Sequence, residues 1–139
     1  MEILSFSTLP PEAALIRQKV FVEEQGFQYE FDEIDDISTH FVLFDDNSTP
    51  IAACRVFWSE KNNSYVLGRL AVIKEYRGKG LGRTIVDDAE KHIKKMGGKE
   101  LQLHAQCRIT EFYKRIGFTP FGEVEYEEDC PHIWMKKSI

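Results

Sequence analysis

The densest group of chemistry-bearing residues is the segment Tyr76–Arg83, YRGKGLGR, in which glycines at alternate positions are interleaved with cationic side chains. A hydrophobic strand pattern precedes this segment and a helical pattern follows it. A helix N-terminus offers unpaired N–H groups and partial positive charge, and glycines let an anion approach that backbone without meeting a Cβ. Phosphate or pyrophosphate suits such a junction, with Arg77, Lys79 and Arg83 adding charge-assisted contacts. The segment therefore predicts a phosphate-binding loop rather than a plain tight turn with surface charge.

The spacing of the glycines does not match two widespread phosphate-binding motifs. The stretch RGKGLGRT lacks the Gly-Lys-Ser/Thr ending of the nucleotide-hydrolase loop. Gly78, Gly80 and Gly82 do not fit the GxGxxG spacing of dinucleotide-binding folds either. The segment fits instead the signature Arg-x-x-Gly-x-Gly, which by itself leaves the phosphate ligand open.

Length and composition are ordinary for one globular domain spanning residues 1–139, with 42% hydrophobic and 29% charged residues. The longest apolar runs are short, so we expect no membrane partner and no membrane span. The N-terminus lacks the pattern of a signal peptide. Three scattered cysteines are too few for a disulfide scaffold, which favours a cytoplasmic location.

Charge is distributed unevenly along the chain. The net charge of −5 argues against nucleic-acid binding. No Lys or Arg lies between Lys19 and Arg55, and seven carboxylates lie between Glu23 and Asp36. A second acidic run covers residues 123–129. Both acidic runs are consistent with a solvated surface and with a lobe that attracts a cationic substrate, and the sequence leaves both interpretations open.

The periodicity of apolar residues predicts the elements that position the loop. Strands are predicted at residues 2–7, 39–46, 51–59, 64–73, 100–105, 118–128 and 132–137. Helices are predicted from an N-cap at Thr8 to about Glu24, along an apolar stripe from Leu81 to Met96, and over about Ile109–Ile116. Residues 25–38 are predicted to form an acidic loop. The resulting order, β-α-β-β-β-α-β-α-β-β, predicts an α/β fold with a mixed sheet and helices on both faces.

Two segments carry a resemblance to a known family. The stretch LAVIKEYRGKGLG resembles the strand-to-helix motif with which N-acetyltransferases of the GNAT superfamily cradle the pyrophosphate of coenzyme A. The stretch AQCRITEFYKRIGF is similar to the motif that follows it, and VFVEEQGF, EFDEIDDISTHFV and CPHIWMKK resemble small single-domain bacterial members. The resemblance covers nearly the whole chain. It implies a splayed mixed sheet into which coenzyme A enters where strands 4 and 5 part.

The resemblance also implies roles for individual residues. The backbone of strand 4 would pair with the pantetheine arm as another strand would, the glycine-rich loop would hold the pyrophosphate, and Gln106 would line the strand-5 side. Tyr113 would be the general acid that protonates the departing thiolate. The implied cofactor-binding residues are Leu70, Ala71, Val72, Arg77, Gly78, Lys79, Gly80, Leu81, Gly82, Arg83, Thr84 and Gln106.

The general base is where this sequence departs from the family pattern. Many members carry a Glu in strand 4 that relays a proton from the amine, but SYVLGRLAV contains no carboxylate, and Gly68 lies near the expected place. An alkyl amine is mostly protonated at neutral pH, so a base or a chain of waters is needed. His132 is the first candidate and Glu24 the second, and His40 and His104 remain further candidates. For each histidine the alternative is a structural role with locally satisfied hydrogen bonds.

The resemblance implies an acetyl-CoA-dependent N-acetyltransferase that acts on a primary amine of a small molecule by direct attack in a ternary complex. If the acidic runs form a binding lobe, the acceptor is expected to be cationic, and the sequence leaves open a monomer or a homodimer. The alternative is a non-catalytic acyl-CoA-binding or sensor module of the same fold. The missing strand-4 carboxylate favours this alternative, and Tyr113 beside an intact loop opposes it.

No metal is expected in the proposed reaction. A rival zinc site can nevertheless be drawn from two pairs of soft ligands, which are His104 with Cys107 and Cys130 with His132. Two short pairs without the usual glycines at the metal knuckles are a weak signal, so we do not favour this reading.

Overall fold

The computed structural model describes residues 1–139, which form one seven-stranded sheet with helices packed against it. The strands are β1 (Glu2–Phe6), β2 (Thr39–Phe44), β3 (Pro50–Ser59), β4 (Ser64–Val72), β5 (Glu100–Gln106), β6 (Thr119–Glu127) and β7 (Cys130–Ser138). The helices are α1 (Pro11–Arg17), α2 (Leu81–Lys95) and α3 (Thr110–Arg115), and α1 continues as a π-helical segment over Gln18–Glu24. Short 3₁₀ turns cover Glu33–Ile37, Lys74–Tyr76 and Cys107–Ile109. The predicted order of strands and helices is confirmed.

The strands lie in the order β1-β2-β3-β4-β5-β7-β6. Only β4 and β5 run parallel, and every other neighbouring pair is antiparallel. The sheet is therefore mixed, as predicted, and β7 is inserted between β5 and β6.

Both faces of the sheet are covered because side chains alternate along its central strands. In β2, Phe41 and Leu43 pack in the core that contains the apolar stripe of α2. Val42 and Phe44 point to the other face, where they pack with residues of α1 and its π-helical continuation. Each such burial stabilises the fold by about 1.5–3 kcal/mol relative to exposure. The two cores hold the sheet between helices and so fix the position of the segments that connect them.

The first two helices differ from the prediction at their ends, and α1 stops at Arg17, beyond which the chain is π-helical to Glu24. Thr8 does not cap α1, since Pro10 occupies the cap position and no side chain bonds the first turn. Prolines need no such cap because they bring no N–H to satisfy. Met96 lies just beyond α2 and is about half exposed rather than part of its buried stripe. None of the helices combines the length and the apolar character required to cross a membrane.

Candidate active site

The parallel pair β4–β5 is joined along only a short stretch. Tyr65–Leu67 pairs with Leu101–Leu103, and beyond this point each strand keeps only its outer neighbour. A bulge marks the divergence, because the pairing of β4 with β3 shifts between Ala53 and Arg55. Arg69 in the bulge has a left-handed backbone with φ of 53°. Since a bulge bends its strand, β4 turns away from β5 and a cleft opens between them.

A buried network of ion pairs supports this bulge. Arg69 donates two hydrogen bonds, of 3.1 and 3.0 Å, to the backbone carbonyl of Glu30. Arg17 contacts the carboxylates of Glu30 and Asp35 at 2.8 and 2.7 Å, and Arg55 contacts Asp35 at 2.8 Å. Burial alone would raise the pKa of Asp35, but hydrogen bonds from Arg17 and Arg55 outweigh it and lower the pKa to about 2. These two carboxylates of the first acidic run are therefore paired internally and do not attract a cation.

The cleft between β4 and β5 forms a cavity of about 460 Å³. Its aromatic lining consists of Phe21, Phe27, Tyr29, Phe57, Tyr113 and Trp134. Its polar lining includes Arg69, His104, Gln106, Glu127, Glu128 and His132. Apolar walls with a few converging polar groups are typical of sites that bind small molecules.

The glycine-rich loop leaves its backbone open to a ligand. Gly78 and Gly80 have φ of 80° and 76°, and no atom lies within 4 Å of the position that a Cβ would take at either residue. The N–H of Thr84 makes the first hydrogen bond of α2, to Gly80. The three preceding N–H groups, on residues 81–83, therefore have no partner within the helix. Gly82 has a different role, since a Cβ there would lie 3.1 Å from the ring of Phe112.

The cationic side chains of the loop have different partners. Arg77 forms a two-pronged ion pair with Glu24 and also donates its Nε to the carbonyl of Val72 at 2.9 Å. The ammonium of Lys79 lies over the ring of Tyr76. Arg83 is exposed, and its Nε lies 3.9 Å from a carboxylate oxygen of Asp87. The loop therefore offers a pyrophosphate an open backbone and two cationic side chains without a close ion pair, those of Lys79 and Arg83.

Of the residues predicted to bind the rest of coenzyme A, Leu70 and Gln106 line the cleft, whereas Ala71 is buried in the core on the α1 side of the sheet. The N–H of Ile73 bonds to the carbonyl of Ile51 on β3. Because N–H groups alternate in direction along a strand, those of Leu70 and Val72 point away from β3 toward the cleft, and that of Ala71 does not. Two further predicted residues contribute no free side chain, since Leu81 is buried in the core and Thr84 donates its hydroxyl to Gly80 at 3.0 Å.

On the opposite side of the cleft, the amide of Gln106 is already engaged. Its Nε2 donates to Gln25 at 2.8 Å and its Oε1 accepts from Arg108 at 2.9 Å. Gln106 therefore lines the cavity as a fixed group between two neighbours.

Tyr113 lies in α3 with its ring packed edge-on against Phe112 and Phe118, at centroid distances of 5.1 and 5.9 Å. The ring is buried but lines the cavity, and the hydroxyl makes no hydrogen bond within the protein. Burial raises the pKa of the phenol. Tyr113 is therefore protonated at neutral pH and free to donate to a ligand in the cavity.

The candidate bases are distributed over three places. Glu24 lies at the glycine-rich loop and does not line the cavity described above. His40 is buried elsewhere in the sheet, where its Nε2 lies 2.9 Å from the carbonyl of Asp35 and burial lowers its pKa. His104 and His132 lie together in the cavity wall, with ring centroids 5.0 Å apart.

The structure adds Glu127 to this pair of histidines. One carboxylate oxygen, Oε2, lies 2.6 Å from His104 Nδ1 and 3.4 Å from His132 Nε2. The other oxygen makes no hydrogen bond within the protein. His104 also stacks on Trp134 at 4.7 Å, which fixes the plane of its ring. The sequence assigned Glu127 no role beyond the second acidic run. A signal was present, since Glu125 and Glu127 lie two residues apart in a predicted strand and therefore share one face of the sheet.

The zinc alternative finds no support. The structure contains no group of three or more His, Cys, Asp or Glu side chains arranged to hold a metal ion. Cys130 contributes its backbone carbonyl, not its thiol, to His132 at 2.9 Å.

Comparison with known proteins agrees with this geometry. Residues 9–139 match the family model of the acetyltransferase (GNAT) domain. The uncharacterized N-acetyltransferase YjcF of Bacillus subtilis is 33% identical over 129 residues, which span 91% of this chain and 90% of YjcF. The crystal structure of an acyl-CoA N-acyltransferase from Pseudomonas aeruginosa has a TM-score of 0.85 and 25% identity, with 98% of both chains covered. An aminoglycoside 6'-N-acetyltransferase complexed with coenzyme A has a TM-score of 0.78 at 17% identity, covering 99% of this chain and 97% of its own, which shows a likeness of fold alone.

The splayed sheet, the glycine-rich loop and these matches define the class of protein. The chain belongs to the GNAT acetyltransferase family, so the resemblance seen in its motifs is confirmed.

Proposed function

We propose that the protein transfers an acetyl group from acetyl-CoA to a primary amine of a small molecule. One observation carries this proposal: the unpaired edge of β4 joins two complementary sites. At its end lies a loop whose free N–H groups suit a pyrophosphate, and along it opens the cavity that holds Tyr113. An extended pantetheine arm with a thioester at its tip suits this combination.

The N–H groups of Leu70 and Val72 have two uses in this proposal. They pair with the pantetheine arm, and one of them polarises the thioester carbonyl as negative charge develops on its oxygen. Fixed N–H donors aimed at such a charge typically lower the barrier by about 3–4 kcal/mol each. The backbone geometry at the bulge near Arg69 therefore contributes to catalysis by aiming these donors into the cleft.

The acetyl transfer proceeds by direct attack of the amine on the thioester carbon in a ternary complex. Tyr113 donates its proton to the sulfur as the carbon–sulfur bond breaks. Burial favours this role because it keeps the phenol protonated. His132, in the wall of the same cavity, is the proposed base that removes a proton from the amine.

The acceptor enters through the aromatic part of the cavity in this proposal. Tyr29 is mostly exposed at the rim, and its N–H, with that of Gln28, donates to the carboxylate of Glu128. Glu127 has one oxygen without a hydrogen bond in the same cavity. An amine that is cationic before it reacts suits a wall with an available carboxylate.

The experiment is a release assay for free coenzyme A with acetyl-CoA and a panel of amines, together with calorimetric binding of acetyl-CoA. The panel contains a polyamine, an amino sugar, lysine, an arylalkylamine and a neutral aniline. We expect acetyl-CoA to bind and at least one cationic amine to be acetylated, with a rate that falls as salt rises. Binding without turnover of any amine would contradict the enzymatic proposal and favour an acyl-CoA sensor.

A further inference from the structure

The hydrogen-bond partners of His104, Glu127 and His132 determine which atoms of this cluster carry a proton. The carbonyl of Cys130 can only accept, so His132 Nδ1, at 2.9 Å from it, carries the proton of the neutral ring. His104 Nδ1 likewise carries a proton, which it donates to Glu127 at 2.6 Å. This hydrogen bond lowers the pKa of Glu127, which is therefore ionised at neutral pH. His132 Nε2 is thus a bare lone pair that lies 3.4 Å from a carboxylate oxygen, with no proton between them.

We infer that Glu127 is the positioning residue of the general base, with His132 Nε2 as the atom that takes the proton of the acceptor ammonium. A proton that arrives at Nε2 creates an imidazolium 3.4 Å from a carboxylate oxygen of Glu127, so the positive charge formed in the transfer has an anionic partner. His104 fixes the carboxylate through its short hydrogen bond and its stacking on Trp134. This inference rests on the proposed function and adds to it the carboxylate that lies beside the proton-accepting nitrogen of His132.

The charges that face His132 come from three neighbouring strands. Glu125 and Glu127 lie on β6, His104 lies on β5, and Arg69 on β4 contributes a positive charge that acts on Glu127. His104 Nε2 is buried without a hydrogen bond, and Glu125 Oε1 lies 3.2 Å away at an unfavourable angle. The two carboxylates near the rings, Glu125 and Glu127, therefore outnumber the one arginine.

The cluster faces β4, which has no carboxylate, across the cavity. Gly68 lies on the β4 side of the cavity and has no side chain for proton transfer. Glu127 and His132 lie on the far wall, which β6 and β7 form. Tyr113 enters the same cavity from α3, so acid and base reach one space from different elements.

The proton balance of the transfer is complete with these groups. The ammonium loses one proton to His132 Nε2, and the electron pair left on nitrogen forms the bond to the thioester carbon. As the carbon–sulfur bond breaks, the thiolate takes the proton of Tyr113. The nitrogen then loses its second proton, which returns through solvent to Tyr113. The proton on His132 leaves to solvent, so one proton is released for each amide formed from an ammonium.

The test compares Glu127→Gln with Glu123→Gln, which removes an exposed carboxylate of the same strand that has no hydrogen bond or ion pair. Both are assayed with acetyl-CoA and the panel amine that the wild type acetylates fastest. For Glu127→Gln we expect kcat/KM to fall about 10–100-fold, because the imidazolium formed in the transfer loses its partner charge. Acetyl-CoA affinity should stay unchanged, and Glu123→Gln should match the wild type. Glu127→Asp, which keeps the carboxylate, should recover part of the lost rate, whereas a merely structural role of the side chain predicts no such rescue.

The outcomes separate this inference from the proposed function. An active wild type with a Glu127→Gln rate within about threefold of it overturns the inference and leaves the function intact, since loss of the partner charge should cost more. If no amine is acetylated, nitrogen-15 spectra of the imidazoles in the whole protein still test the proton positions on which the inference depends. We expect the neutral form of the His132 ring to carry its proton on Nδ1 and none on Nε2. A neutral ring with the proton on Nε2 would overturn the inference.

Discussion

The carboxylate of Glu24 forms two hydrogen bonds, of 2.7 and 2.8 Å, with the guanidinium of Arg77, which lies 53 residues further along the chain. The pair joins the π-helical continuation of α1 to the start of the glycine-rich loop. The hydrogen bond from Arg77 lowers the pKa of Glu24. A carboxylate that is held in this way is a weak proton acceptor, and its position favours a role as the partner of Arg77 over a role as base.

Glu24→Gln should therefore leave kcat within about threefold of the wild type, far less than the loss that removal of a general base causes. Acetyl-CoA should bind up to about fivefold more tightly, because release of an exposed ion pair worth about 0–1 kcal/mol frees Arg77 for phosphate. Calorimetry and steady-state rates measure the two quantities. Glu23→Gln, at an exposed neighbour without an ion pair, is the control. A hundredfold loss of kcat in Glu24→Gln alone would identify Glu24 as the base.

Gly80→Asp should reduce acetyl-CoA binding below calorimetric detection. The substitution places a carboxylate where phosphate oxygens are expected and a Cβ on a backbone with φ of 76°. Gly97→Asp is a matched control, since Gly97 has φ of 85° and open space around it, but lies after the other end of α2. Both variants carry the same kind of backbone strain, so circular dichroism should show comparable folded proteins. Near-native affinity in a folded Gly80→Asp variant would contradict the phosphate-binding loop.

The glycine-rich loop could be predicted because its signal is local. Free N–H groups and glycines with positive φ depend on residues that are adjacent in the chain, and the stripe of α2 likewise repeats within one helix. Glu127 could not be assigned, because its partners come from distant strands. The turn residues Glu128 and Asp129 both have positive φ and set the register of β6 with β7, and β7 in turn brings His132 beside β5.

The acidic loop shows the same limit of local patterns. Glu30 and Asp35 were indistinguishable in the sequence from solvated carboxylates. Their burial depends on Arg17, Arg55 and Arg69, which come from three different elements. The pairing of such distant charges is a property of the tertiary structure.

Asp35→Asn should lower the free energy of unfolding by about 3–5 kcal/mol, because it leaves two buried arginines without their shared anion. Urea titration measures this loss, and Asp36→Asn, at the exposed neighbour, should change it little. The pKa of Asp35 is depressed from 3.8 to about 2 in the folded state. The stabilisation is therefore fully present above the ordinary value and is lost as pH falls toward the folded one. The wild type should lose stability over this range more steeply than Asp35→Asn, and parallel curves would contradict the role of the pair.

Tyr113→Phe keeps the ring against Phe112 and Phe118 and removes only the hydroxyl. If Tyr113 is the general acid, kcat should fall about 10²–10⁴-fold, or roughly 3–5 kcal/mol, with little change in acetyl-CoA affinity. Tyr126→Phe is the control, since Tyr126 is 71% exposed on β6. Steady-state rates with the acetylated panel amine and calorimetry with acetyl-CoA provide the two measurements.

The pH profile separates acid catalysis by Tyr113 from simple packing. Burial raises the pKa of the phenol, so the alkaline loss of rate should begin above the value of about 10 that an ordinary tyrosine shows. The Tyr113→Phe variant should lack this limb, because it has no phenol to ionise. Two effects reduce the contrast: the hydroxyl can hydrogen-bond the sulfur in the ground state, and water can protonate a thiolate. The decisive result is therefore the pair of measurements on a folded variant. If Tyr113→Phe turns over within about threefold of the wild type and keeps the same alkaline limb, a loss far below that of a missing acid, then Tyr113 only packs the core and the thiolate takes its proton from another donor.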